Sequence, residues 1–433
     1  MSTAAGTQGR FRAILGWALY DWANSAFATT VMAGFFPVFF KTYWSVGVDT
    51  TVSTARLGVA NSVAGILVAA LAPVLGALAD RGTARKKFLL VFACLGMVMT
   101  SALFLVQQGN WLLAIALYAI ASIGFSGANV FYDALITIVC GEERMDFVSA
   151  LGFSLGYLGG GLLFAVNVWM TLKPEQFGFA DAGAAVRFSF VSVGVWWAVF
   201  SVPLLLFVHE PPSDEGPDAG GAVIRAGLRQ LRATFHDILQ NRPLVLFLCA
   251  YWLYIDGVDT IVRMAIDYGM SIGFESNDLI VALLITQFVG FPAAIVFGVV
   301  GGRVGAKRAI MFAIIVYIAV CFWGACMRSK HEFYMLAVVI GLVQGGIQAL
   351  SRSFYAKLIP AARSAEYFGF YNMLGKFAAV IGPILMAVVG VLVRAAGAPS
   401  ETASRASIAA VALLFIAGGI LLSRVKDGPQ VGR

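Results

Sequence analysis

A chain of 433 residues that is 60% hydrophobic and only 12% charged has too few charges to coat a water-facing surface, since a soluble globular chain carries about 25%. The net charge of +7 does not argue for nucleic acid, because the Lys and Arg sit in short stretches between apolar runs. The five cysteines lie within apolar runs and lack metal-ligand spacing, and no phosphate-binding loop occurs, so no metal, cofactor, nucleotide or nucleic-acid partner is expected.

A hydrocarbon core of ~30 Å is crossed by about 20 mostly apolar helical residues. Such runs fall at 14–40, 54–79, 88–107, 111–139, 147–170, 187–208, 243–267, 278–301, 309–328, 332–358, 367–393 and 404–423. They predict an all-α membrane protein with twelve transmembrane helices. The first run is longer than a signal peptide and has no small-residue cleavage site, so it is read as a retained helix. With both termini in the cytoplasm, the inner loops hold more than twice as many Lys and Arg as the outer ones, as the positive-inside rule requires.

The middle of the chain differs. Residues 209–242 open on His209-Glu210-Pro211-Pro212, a helix-breaking stretch. Ile224, Leu228, Leu231, Phe235 and Ile238 then fall on one helical face, and Arg225, Arg229 and Arg232 on another. That pattern suits either a helix on an anionic membrane surface or a solvated linker helix. The expected organisation is a six-helix bundle over 1–208, a cytoplasmic linker over 209–242 and a second six-helix bundle over 243–433. The halves echo each other. Gly76, Asp80, Arg81 and Arg85-Lys86-Lys87 follow the second run, while Gly298, Gly302, Arg303, Gly305 and Lys307-Arg308 follow the eighth.

Charges are costly in a bilayer and usually face a partner or a cavity. Here they form stripes at helical spacing: Asp21, Asn24 and Ser25 in the first run; Asn129, Tyr132 and Asp133 in the fourth; Asp256, Asp259, Arg263 and Asp267 in the seventh; Gln344, Gln348, Arg352 and Tyr355 in the tenth. Plainer readings stand beside a functional one. Asp259 and Arg263 form an i, i+4 pair, Asp21 is a gate or packing residue, and Asn24 and Asn129 bond between helices. Gly156, Gly159 and Gly160 are read as packing residues.

The repeated loops resemble the major facilitator superfamily, whose loop between helices two and three has a Gly, an Asp-Arg and a basic cluster. Gly76, Asp80, Arg81 and Arg85 match it with one extra residue, and Gly298 and Arg303 mark a second copy with Gly302 in place of the Asp. Such an Asp can pair with a basic group or a helix N-terminus and lock helix ends together. Longer stretches, Tyr20-Asp21-Trp22-Ala23-Asn24, Ala128-Asn129-Val130-Phe131-Tyr132-Asp133, Gly156-Tyr157-Leu158-Gly159-Gly160, Tyr254-Ile255-Asp256-Gly257, Gln348-Ala349-Leu350-Ser351-Arg352 and Phe368-Gly369-Phe370-Tyr371 with Lys376, resemble the vacuolar-effluxer-like branch. It includes autophagy-related vacuolar amino-acid effluxers and bacterial permeases. The resemblance implies the major facilitator fold, two pseudo-symmetric six-helix bundles, and a cavity lined by helices one, four, seven and ten. It also implies a monomeric, non-enzymatic secondary transporter in a bacterial plasma (inner) membrane.

The mixed acids, amides and Arg suit a small polar solute such as an amino acid, carried by alternating access. The three His lie in loops or the linker, so proton coupling, if present, uses carboxylates. The alternative is a non-transporting membrane protein, such as a lipid scramblase or a receptor on a transporter scaffold. Asp256 and Asp259 with Gln344 and Gln348 are the expected polar binding surface. Asp133 with Lys376 or Arg352, and Asp21 less directly, is the expected charge latch on the cytoplasmic side; each charge being satisfied within its own bundle is the rival reading. The topology has a direct check: cysteines placed at residues 81 and 303 should react with an impermeant thiol reagent from the same side of the membrane, and reaction from opposite sides would overturn the repeat.

Overall fold

The computed structural model of the chain describes residues 2–81, 84–211, 221–271 and 276–426. Helix α1 starts as Ser2–Ala26 and continues through π-helical Phe27–Phe35, a short α segment Phe36–Phe39 and π-helical Phe40–Trp44. Pro37 has no amide to give to residue 33, and the ladder shifts to wider turns on both sides. Then come α2 (Thr50–Arg81), α3 (Arg85–Ala102), α4 (Trp111–Val139), α5 (Glu142–Leu172) and α6 (Ala182–Phe207). A linker helix, Gly221–Gln240, precedes α7 (Arg242–Ser271), α8 (Ser276–Val304), α9 (Ala306–Cys326), α10 (Lys330–Leu358) and α11 (Ser364–Ala395). The last helix, α12, is Ser400–Ala410 and Ala412–Arg424, with a turn at Val411.

The described residues contain twelve helical spans long and apolar enough to cross a membrane. Several run past the bounds read from hydropathy. The first continues to Trp44 rather than 40 because its π turns are wrapped in aromatic side chains, with Phe36 stacked on Tyr118 at 3.9 Å and Trp44 on Phe190 at 5.8 Å. The fifth begins at Glu142 rather than 147, and its two leading glutamates favour the positive end of the helix dipole. Elsewhere, side chains close the starts: Asn110 accepts from the amide of Leu113, Asp181 from Ala184 and Ser329 from Glu332.

The outward faces are themselves apolar. Val59, Val63, Ile66 and Leu67 on α2, Val195, Val199 and Leu206 on α6, and Ile384, Val388 and Leu392 on α11 are all exposed. A continuous apolar exterior of this kind needs lipid rather than water.

The chain forms two compact units. One comprises Met1–Gly141, Leu155–Leu228 and Ala362–Asn372; the other comprises Glu142–Ser154, Arg229–Ala361 and Met373–Arg433. In the first, α1 packs on α6, α2 on α4, and α3 on both α4 and α6. In the second, α7 packs on α12, α8 on α10, and α9 on both α10 and α12. The neighbour pattern is the same, as a repeated six-helix plan demands. Glycines set the spacing. A Cβ on Gly159 would meet the Trp22 ring, and one on Gly160 would meet the Thr29 hydroxyl, so α5 lies directly on α1.

Two lysines mark the repeat as well. Lys86, at the start of α3, donates to the carbonyls of Leu205 and Val208 at the end of α6, at 2.9 and 2.5 Å. Lys307, at the start of α9, donates to the carbonyls of Ser423 and Val425 at the end of α12. Each ammonium meets carbonyls left open at a helix C-terminus. Gly305, with φ 96°, makes the left-handed turn that leads into α9.

The linker segment forms a helix, as the periodicity expects, and its apolar residues differ in exposure. Thr234 and Ile238 are buried, whereas Phe235 and Leu239 are exposed. Its apolar residues therefore divide between a side packed on the protein and a side turned outward. Arg232 is exposed; the side chains of Ile224, Arg225, Leu228 and Arg229 lie outside the described residues.

Candidate functional site

In the first unit, α1 and α4 bring four of the expected residues into one buried cluster. The Asn24 amide donates to Asn129 Oδ1 at 2.6 Å, and the Tyr132 hydroxyl donates to Asp21 Oδ2 at 2.8 Å. Asp21, Asn24 and Tyr132 are buried, and Asn129 is half-buried. The arrangement is held by residues that periodicity did not single out. The Trp17 indole donates to the carbonyl of Tyr132 at 2.9 Å while its ring stacks on the Tyr132 ring at 4.5 Å. Tyr20 leans on the same ring at 5.0 Å. On α5, a Cβ on Gly156 would press on Ser25 Oγ and the carbonyl of Asp21, so the absence of a side chain there brings α5 against the acid. Aromatic rings fix the tyrosine, and the tyrosine fixes the carboxylate.

Asp133, one residue further on, is buried and accepts from the Asn372 amide at 3.1 Å. Asn372 belongs to the first turns of α11. Lys376 stands one turn beyond it on α11 and is half-buried.

A second polar group in the same unit is the Asp80 clasp. Asp80 Oδ1 accepts from Arg85 Nε at 2.7 Å and from the amide of Ala365 at 3.1 Å, and Oδ2 accepts from the amide of Glu366 at 2.8 Å. Both amides are in the opening turn of α11, so an anion sits at the positive end of a helix of 32 residues. Arg85 also donates to the carbonyl of Ala362 at 3.0 Å, and its backbone amide and that of Lys86 donate to Glu210 at 3.1 and 2.7 Å. A Cβ on Gly76 would clash with the carbonyl of Ala365, and one on Gly369 would strike Pro73. Close backbone approach therefore explains both glycines. The side chain of Arg81 lies outside the described residues.

In the second unit, Gly298 packs with no room for a Cβ against Ala150 of α5. Gly302 and Arg303 are exposed. The carboxylate here comes instead from Asp146, in the opening turns of α5. It accepts from Ser353 Oγ at 2.7 Å and pairs with Lys357 at 2.7 Å. Neither Asp146 nor Glu210 was distinguishable in the sequence, since both sit in charged stretches that read as loops. Arg352 is buried. It donates to Ser149 Oγ and to the carbonyl of Ser149, both at 2.9 Å, with its guanidinium 4.4 Å above the Phe153 ring.

Asp256 is fully buried, yet its partners are not the glutamines. Oδ1 accepts from the amide of Gly382 at 3.0 Å and from Thr260 Oγ1 at 3.2 Å, and Oδ2 accepts from the amide of Ile381 at 3.0 Å. Asp259 is half-buried one turn on, and the side chains of Arg263 and Asp267 lie outside the described residues. Gln344 and Gln348 are half-buried on α10; among the described residues, Gln344 Oε1 is a buried acceptor that no donor reaches. Tyr254 on α7 is tied to Ser351 on α10 at 2.7 Å.

The chemistry of these groups is recognition rather than bond breaking: carboxylates, amides and hydroxyls, fixed by rings and helix ends. The sequence matches the family described as vacuole effluxer Atg22 like over residues 45–145 and 140–427. It is 38% identical to the uncharacterized MFS-type transporter YxiO of Bacillus subtilis over 413 residues, covering 95% of this chain and 94% of that protein. It is 24% identical to autophagy-related protein 22 of Yarrowia lipolytica over 56% of this chain and 45% of the fungal protein. Among solved structures, the human organic anion transporter MFSD10 (TETRAN) aligns over 95% of this chain and 98% of its own, with a TM-score of 0.71 at 15% identity.

The clasp yields a test. Asp80→Asn removes the charge and leaves one acceptor for three donors, a loss of about 1.5–3 kcal/mol for charge-assisted bonds. Hydrogen exchange at Ala365 and Glu366 should then speed up about 10- to 100-fold. Unchanged exchange there would show that Asp80 does not hold α11.

Proposed function

The chain belongs to the Atg22-like vacuole effluxer family within the major facilitator superfamily, and from that premise we propose that it carries a small polar solute of the amino-acid kind by alternating access. Membership makes it a membrane transporter and not an enzyme.

The observation that carries the solute reading is the α1–α4 cluster. A carboxylate, two amides and a phenol come together where Trp17 and Tyr20 pack on the Tyr132 ring. Buried polar groups of this density are expensive in a membrane unless they have a use. Their chemistry matches a zwitterion: Asp21 suits an ammonium group, and the amide hydrogens of Asn24 and Asn129 suit a carboxylate. In the second unit, Gln344, Gln348 and Asp259 are half-buried polar groups on α10 and α7. A greasy solute would gain nothing from either.

The Asp80 clasp and its counterpart around Asp146 act in this reading as gates at the cytoplasmic end. Each joins a carboxylate to a base and to a helix opening, so each can form or break as a unit. Asp133 with Asn372, and Arg352 with Ser149, add polar contacts to the same two helix openings, α11 and α5. Proton coupling in this reading uses one of two carboxylates of α7, Asp256 or Asp259. The location is a bacterial plasma membrane with both termini in the cytoplasm, and the working unit is one chain.

The test is binding. In detergent, a ligand at about 100 times its Kd stabilises the folded protein by about 2.7 kcal/mol. Zwitterionic amino acids are expected to raise the melting temperature of the intact protein, and neutral sugars and lipophilic cations are not. Asp21→Asn and Asn24→Leu should each abolish the shift without preventing folding. A shift from lipophilic cations that survives both changes would overturn the solute class.

A further inference from the structure

We infer that Arg56 and Trp111 form a binding site for the phosphate of a membrane phospholipid, on the outward face of the first unit at the seam between α2 and α4. The case starts with where the two residues stand. The apolar span of α2 begins at Arg56 and that of α4 at Trp111. The two helices pack on each other and start from the same end of the unit. Both side chains therefore lie at the depth where hydrocarbon gives way to headgroups. Trp favours this depth, and an Arg near the end of a span turns its charge toward it.

The guanidinium of Arg56 stands over the indole of Trp111, its central carbon 3.8 Å from the ring centroid. The ring places the cation but leaves its N–H groups nothing to donate to. Nη1 is buried with no hydrogen-bond partner, and among the described residues no carboxylate comes within ion-pair reach of Arg56. A guanidinium carries five N–H donors in a planar fork, and leaving them unbonded where water is scarce is costly. Cations at other helix starts are provided for: Lys330 on α10 pairs with Asp278 at 2.7 Å, and Arg405 on α12 with Glu401 at 3.0 Å. Arg56 is half-buried, so part of its side chain stays open to the bilayer. Its counter-ion is to come from there.

The surroundings select a lipid over a free anion. Val52, Val59 and Val63 share the helical stripe of Arg56 and are exposed, as are Leu112 and Leu113 beside Trp111. A free anion would gain only the charge. A phospholipid gains twice, since its acyl chains lie along these valines and leucines while its phosphate accepts from the fork. The site is also set in place before a lipid arrives. The Trp44 indole donates to the carbonyl of Val106 at 3.3 Å, and the amide of Gly109 to the carbonyl of Tyr43 at 3.2 Å, which ties the loop in front of Trp111 to the end of α1.

The test titrates lipid into the full chain in a neutral detergent and counts retained lipid by native mass spectrometry. Dioleoylphosphatidylglycerol is compared with dioleoylglycerol, which has the chains without the phosphate, and with inorganic phosphate, which has no chains. The unmodified protein should retain a tightly held phosphatidylglycerol that neither of the other probes displaces at the same concentration. Arg56→Gln should weaken it about tenfold or more, the loss expected for charge-assisted bonds. Lys330→Gln removes a cation that already has an acid and should leave the titration as it is. If Arg56→Gln does not fold, Trp111→Leu serves in its place: it keeps the cation but frees it from the ring, and should weaken the lipid as well. Unchanged retention in whichever of these two variants folds, or displacement by inorganic phosphate alone, would overturn the lipid site. No solute enters the measurement, so that result would leave the transport reading standing.

Discussion

A carboxylate buried among helices has little water to turn to, and neither has a buried backbone amide at a helix end. This protein answers both needs with one device, by placing the acid on the amides. Asp80 takes two amides at the start of α11, Asp256 takes two in its middle, and Glu210 takes two at the start of α3. Lys86 and Lys307 do the reverse at the carbonyl ends of α6 and α12. The helix dipole makes each of these contacts favourable, and low polarity makes each costly to lose. Much of the remaining architecture follows from them. Gly76 and Gly369 let α2 and α11 approach backbone to backbone, and Gly382 leaves room for Asp256 and Thr260.

The same device gives the two halves unequal work. In the first repeat the loop supplies its own acid, Asp80. In the second the matching position is Gly302, and Asp146 on α5 accepts from Ser353 and pairs with Lys357 on α10. The halves share their helix pairing but not their electrostatics.

Much of the fold was legible in the sequence. Twelve crossings follow from run length and charge placement, because the bilayer imposes a length that few other constraints can imitate. The α1–α4 cluster was legible in part: helical spacing put Asp21 with Asn24 and Asn129 with Tyr132, but it could not say that the Asn24 amide reaches Asn129 or that Trp17 pins Tyr132. Contacts between residues more than a hundred apart leave no periodic trace. The partners of Asp256 were hidden more deeply. They are backbone amides, which every residue but proline carries, and the hint was the pair Gly382-Pro383 in an otherwise regular helix. In the linker, angle put the apolar residues on one helical face, but angle alone does not report what that face lies against.

The central claim is that the buried polar cluster serves a solute. Reconstitution in liposomes tests it most directly, with labelled amino acids and fluorescent lipids followed in the same vesicles. The account predicts exchange of amino acids that stops on Asp21→Asn, with no movement of lipid between leaflets. Lipid movement without solute exchange would contradict it.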